Sequence, residues 1–257
     1  MRQFNAFIKK EWMEQSRTNK LLILGIVSVV FGIMSPAVAK LTPVIFEAMS
    51  QSLSDQGISS IQLGEVTAIT SWQQFYKNIS TLMIVFVVMA SGNITNEYQK
   101  GTLVNIVTKG MPRHKILISK LFVQVVIWTL SYFITFFTTY IYTIYYWDNS
   151  VVKYCFLAAL LPYLFGLWLI AFIFLASTIS NNNISVLLFV GGAVALCYLL
   201  GIAPDLKEYL PTTLLSAGNL LTGASLPEDF VKATVVTAFT GMVAILVSIS
   251  TFNKKKL

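Results

Sequence analysis

Residues 21–41 read LLILGIVSVVFGIMSPAVAKL, with Lys40, near the far end, as the single charge in the run. About 20 predominantly apolar residues in a helix cover the hydrocarbon thickness of a bilayer, so this stretch reads as a membrane span. Five further apolar runs follow, at 76–94, 117–145, 154–179, 184–203 and 231–252. The run at 117–145 is long enough to tilt or to project beyond the bilayer. The second is short. The fourth is interrupted by Pro162, which a membrane helix tolerates when neighbours satisfy the carbonyl it frees.

Upstream of the first span, residues 1–20 form a different kind of element. Within 3–20, Phe4, Phe7, Ile8 and Trp12 fall on one helical stripe while Lys9, Lys10 and Arg17 fall opposite. That is the pattern of an amphipathic helix lying in the membrane interface. Glu11 sits at the edge of the apolar stripe and makes the pattern imperfect. The same twenty residues lack the apolar core and small-residue cleavage site of a signal peptide.

Composition agrees. The 257 residues are 56% hydrophobic and only 11% charged, whereas soluble domains carry about 25% charged residues. The expected fold is an all-α polytopic membrane protein: six transmembrane helices in 21–257, preceded by the interfacial helix. The net charge of +7 sits beside the apolar runs and follows no DNA- or RNA-binding pattern, so no nucleic acid partner is expected. Anionic lipid fits it better. Cys155 and Cys197 lie within apolar runs and read as small buried hydrophobes.

Orientation follows from the basic residues. With the N-terminus inside, 13 of the 18 lysines and arginines fall on the cytoplasmic side, and Lys40, Lys77, Lys153, Lys207 and Lys232 fall outside. The bias places both termini in the cytoplasm. Acidic residues run the other way: Glu47, Asp55, Glu65, Asp148, Asp205, Glu208, Glu228 and Asp229 are outside. Two long outer loops are expected, 42–75 and 204–230. Trp72, Phe75 and Tyr76 would anchor the first at the interface. In the second, Leu214–Leu221 is too short to span and would form a re-entrant or surface helix. Tyr140, Tyr142, Tyr145, Tyr146 and Trp147 form an aromatic belt at the outer end of the third span.

Several chemistries are absent from the sequence. No span has an acidic residue near its middle, as ion-coupled carriers do. His114, the single histidine, lies between Arg113 and Lys115 with no second ligand, which leaves no metal site. No phosphate-binding G-x-x-x-x-G-K-[ST] loop and no nucleophile elbow occurs. Energy for uphill movement would have to come from another protein.

The inner segment 95–116 is where such a protein would dock. It contains Glu97, Tyr98, Gly101, Thr102 and Leu103, then Pro112 and Arg113, with Lys120 at the entrance of the next span. A glutamate, Gly-Thr-Leu, then Pro-Arg ahead of a lysine resembles the first cytoplasmic loop of ABC type 2 permeases. The interfacial helix, the six spans and the apolar last outer loop extend the resemblance over nearly the whole chain. It implies two permease copies, identical or homologous, paired with two separate ATP-binding cassette ATPase subunits. ATP and Mg would be bound by those partners, with no cofactor on this chain and no enzymatic activity of its own. It also implies a coupling helix in 95–108, stopped by Gly110 and Pro112, with Glu97 available to a basic group of the ATPase. A plain solvated loop fits the same residues, and a passive anchor fits residues 1–20.

Trp128, Tyr132 and Phe136 are candidates to line a pathway for an amphipathic cargo, with lipid-facing or interhelical packing as the alternative. Gly191-Gly192 reads as a site of close helix packing. The expected function is export of a peptide, antimicrobial or drug across the cell membrane. The competing class is an ATP-independent accessory or sensor protein.

Overall fold

A computed structural model describes residues 2–54, 66–108 and 110–255. Asp55, Glu65, Lys109 and Lys256 lie outside the described residues. The described chain is helical throughout, in the order α1 (Arg2–Arg17), α2 (Lys20–Ser54), α3 (Ala68–Gln99), α4 (Thr102–Thr108), α5 (Arg113–Tyr146), α6 (Cys155–Ile179), α7 (Asn183–Leu200), α8 (Pro204–Lys207), α9 (Gly218–Thr222) and α10 (Val231–Lys254). Among the described residues, six helices are long and apolar enough to cross a membrane: α2, α3, α5, α6, α7 and α10.

Two expected boundaries are corrected. The segment 42–75 is not a loop at its ends, because α2 runs on to Ser54 and α3 begins at Ala68. Polarity marked these residues as leaving the bilayer, but a polar helix projecting into water satisfies its backbone as well as a loop does. Nor do Trp72 and Phe75 anchor an interface. Both are buried, their rings 5.5 Å apart, with Phe136 5.5 Å from Trp72 and the Trp72 indole donating to Asn149 Oδ1 at 3.0 Å.

Lipid gives helices no hydrophobic reason to associate, so small residues and interhelical hydrogen bonds do the work. The α2–α5 seam shows both. Thr135 and Thr139 of α5 donate to the carbonyls of Ser28 and Gly32, each at 3.1 Å. A Cβ on Gly32 would stand 2.6 Å from Thr138 Cβ. From α3, Asn78 donates to Ser35 Oγ at 2.9 Å and to the Phe31 carbonyl at 3.2 Å.

The α5–α6 seam is aromatic. Trp128, Tyr132 and Phe136, the candidate pathway residues, are buried within the protomer. Trp128 donates to the Tyr163 carbonyl at 3.2 Å and occupies the notch left by Gly166, where a Cβ would meet its ring at 2.2 Å. Tyr132 donates to the Ala159 carbonyl in the turn before Pro162. A neighbouring helix thus supplies polar contacts around the proline, and α6 stays continuous.

The segment 204–230 folds back onto the bundle as short helical pieces rather than one helix, with a 3₁₀ turn over Pro211–Ala217 leading into α9. Leu214, Ala217, Leu220 and Leu221 are buried where this segment meets α3 and α6. The expectation for Gly191-Gly192 fails. A Cβ on either would have nothing within 4 Å, because α7 sits at the periphery and its glycines face open space.

Candidate functional site

The site is built where α1, the end of α3 and the start of α5 meet. On α1 the inward face is Phe7, Glu11 and Gln15, all buried, flanked by partly buried Phe4 and Ile8, while Trp12 is 37% exposed. The stripe is therefore rotated from the apolar one read in the sequence, and Glu11 is its centre rather than its flaw. The physical reason lies opposite. Lys120, two turns into α5, is 1% exposed, and so is Glu11. A buried charge must be paired and hydrogen-bonded, and each of these supplies the other's partner.

Lys120 Nζ stands 2.7 Å from Glu11 Oε2 and 3.1 Å from Glu97 Oε1, and it donates to the Asn93 carbonyl at 3.3 Å. Lys10 Nζ bridges three carboxylates, at 2.9 Å from Glu11, 2.7 Å from Glu14 and 2.8 Å from Glu97. Gln15 donates to Asn93 Oδ1 at 2.7 Å, and Asn93 donates to Gln124 Oε1 at 3.1 Å. Oxygens of Glu11, Glu14 and Glu97 lie within 4.8 Å of one another, close enough to ligate a metal ion. Lys10 already occupies that position. Burial opposes the Lys10 charge, but hydrogen bonds to Glu14 and Glu97 and the field of Glu11 outweigh it and hold the ammonium above the usual lysine value. Burial would raise Glu14, yet the Lys10 hydrogen bond and charge hold its carboxyl below the usual value. Lys10 thus belongs to the site rather than to the outward basic face. Two buried atoms at this end, Glu97 Oε2 and the neighbouring Tyr98 hydroxyl, have no hydrogen-bond partner among the described residues.

Glu97 is the link to the segment that follows. The expected single helix over 95–108 is two: α3 continues to Gln99, and α4 starts at Thr102. Gly101 between them has φ +65°, a left-handed conformation that glycine adopts without cost. Gly110, at φ +84°, closes α4 in the same way. Neither has a neighbour that a Cβ would strike, so both glycines serve the turn and not packing. Leu103 is buried and pins α4 to the bundle, while Val104 is 41% exposed. Thr102 Oγ1 reaches back to the Glu97 carbonyl at 3.4 Å. Between α1, α3 and α4 lies a cleft of about 500 Å³ that includes Asn96, Glu97, Lys100, Thr102 and Asn105.

Two residues grouped with this loop have partners inside the chain. Arg113 donates to the carbonyls of Phe252 and Asn253 at 3.4 and 3.3 Å, and to that of Lys255. It thereby caps the C-terminal end of α10. The Tyr98 ring packs 6.1 Å from Phe252 and lies under Lys255 Nζ at 4.2 Å. Lys255 in turn donates to the Ser180 carbonyl at 2.9 Å. Pro112 sets the extended residue that precedes α5.

The site thus joins Glu97, Gly101, Thr102 and Leu103 with Phe7 and Ile8 of α1, and leaves Trp12, Trp128, Tyr132 and Phe136 outside it. Sequence reasoning passed over Lys10, Glu11 and Asn93. The available signal was a glutamate inside an apolar stripe together with Lys120 at the mouth of a span. Each is costly alone, and together they mark a pair.

Among the described residues, an all-helical bundle with six helices of membrane-spanning length, and an amphipathic N-terminal helix held to α3 and α5 by buried ion pairs, defines a polytopic membrane protein. Residues 6–210 match the family described as ABC-2 family transporter protein. The chain belongs to that family and is a membrane component of an ABC transporter. Comparison with curated proteins gave no match.

Proposed function

We propose that this chain is the export permease of a transporter powered by a separate ATP-binding cassette ATPase, which binds ATP and Mg, and that two permease copies assemble with two ATPase subunits. One observation carries the reading. α4 is a seven-residue helix whose inner side is pinned by Leu103, whose exposed side presents Val104, and whose first residue, Thr102, is tied to the carbonyl of Glu97, a member of the ion cluster that joins α1, α3 and α5. A short rigid knob on a fixed base can take up a push and pass it to α1, α3 and α5 together.

The ATPase would seat on α4 and deliver a basic side chain into the adjoining cleft. There Glu97 has one oxygen engaged by Lys10 and Lys120 and a second, buried oxygen with no hydrogen-bond partner among the described residues, which a basic group would reach only if the cleft opened. The inner end of α1, the elbow and the last turn of α10 lie together, which supports both chain ends on the cytoplasmic face of the cell membrane. The six spans and few polar positions favour an amphipathic cargo, a peptide, antimicrobial or drug. The buried positions of Trp128, Tyr132 and Phe136 direct the search for its path to surfaces between the two copies.

The test is a Val104→Cys variant crosslinked in membranes to an ATPase that copurifies with the chain. An adduct that forms in the active complex supports the reading. Repeated absence of an adduct from a complex that still transports would remove it.

A further inference from the structure

At the end of the bundle away from the elbow, two cavities lie end to end. The first, about 360 Å³, is a trough between α3, α6 and α7 lined by residues such as Met83, Val87, Leu169, Leu187, Val190 and Val194. The second, about 310 Å³, carries the polar side chains of Lys207, Thr212, Thr213 and Ser216 in its lining. Tyr198 and Leu215 belong to both, so the two cavities adjoin. Ligand sites fall in the range of about 300–1,000 Å³, and each cavity alone reaches it.

The charges at the mouth point one way. Glu208, the acidic neighbour of Lys207, is engaged by Lys232 at 2.7 Å, whereas the Lys207 ammonium has no ion-pair partner among the described residues. Gly191 lines the trough with open space beside it, and this keeps the trough wide.

We propose that this trough and chamber form a lipid site. It takes one acyl chain of a bilayer phospholipid between α3, α6 and α7, and the anionic headgroup beside Lys207. An apolar slot with a basic polar mouth matches such a molecule end to end. The site owes nothing to the ATPase reading and stands apart from the elbow.

The experiment uses the purified chain in phosphatidylcholine nanodiscs doped with phosphatidylglycerol carrying a diazirine on its acyl chain, with diazirine-labelled phosphatidylcholine in parallel. Mass spectrometry then locates the adducts. Adducts should concentrate on residues 80–88 and 187–198, with phosphatidylglycerol favoured about fivefold for one lysine beside the headgroup. Gly191→Phe should fill the trough and remove most labelling of both lipids, while Lys207→Gln should reduce phosphatidylglycerol labelling to the phosphatidylcholine level. Melting temperature and gel-filtration profile check that the variants fold, and the exposed Lys207→Gln decides alone if Gly191→Phe does not. Adducts spread evenly over α2, α5 and α10, or a phosphatidylglycerol preference that survives Lys207→Gln, would overturn the site. So would efficient disulfide formation between two copies of a Gly191→Cys variant.

Discussion

Glu11 and Lys120 meet at 2.7 Å with both side chains 1% exposed, and this contact joins an N-terminal helix to a membrane span 109 positions along the chain. Removing one member of a buried pair leaves the other charge unpaired, at a cost of about 3–5 kcal/mol, whereas replacing both with apolar groups is often neutral. Glu11→Leu and Lys120→Met should each lower the melting temperature in detergent. The double variant should recover most of the loss. A double variant no better than the worse single one would show that the pair does not hold α1.

The elbow should be sensitive to its glycines. Gly101→Ala forces a side chain into a left-handed residue and should cost about 1 kcal/mol or more, with a larger fall in ATP-driven transport than in stability. Unfolding curves and transport assays on the same preparations separate the two effects. Equal transport in the variant and the parent would free Gly101 from any part in coupling.

Core packing provides a sharper steric test. Because a Cβ at Gly166 would meet the Trp128 ring at 2.2 Å, Gly166→Ala should destabilise by about 1–3 kcal/mol through overpacking. Trp128→Phe in the same chain should restore part of that loss. Trp128→Ala alone should cost about 3–5 kcal/mol through the cavity it leaves.

Docking of α1 should be flat in pH over the neutral range. Lys10, held above 10.5, contributes fully below that value and loses its contribution only as pH rises through its higher folded pKa. Glu14, held below 4.5, contributes above that value and loses it as pH falls through its lower folded pKa. Glu14 is part exposed, so solvent screens its share. A spin label at the exposed Ser16 should keep constant mobility through neutral pH and become freer below 4.5. A mobility change centred near neutrality would contradict the cluster as drawn.

The spans were legible because lipid imposes a simple rule on composition: an apolar run as long as 21–41 is what a bilayer crossing requires. The edges of α2 and α3 were not, since the rule says where a chain leaves the bilayer and nothing about whether it stays helical. Glycine and proline located the elbow, yet they could not show that Gly101 divides it. The ion cluster was half visible. Glu11 and Lys120 each break an apolar pattern, but their pairing rests on how α1 crosses α5, and no local spacing encodes that. Arg113 misled for a similar reason: its partners are backbone carbonyls, which every residue has and no sequence displays.

The cap that Arg113 places on the last turn of α10 has a consequence for biogenesis. Arg113 is synthesised long before residues 252–255, so a nascent chain carries an elbow with one side unfastened until its final helix has inserted. The surface offered to any partner at this end becomes complete only once α10 has been made and packed against Arg113. A chain cut before α10 would leave Arg113 without these carbonyls and present an elbow fastened on one side fewer.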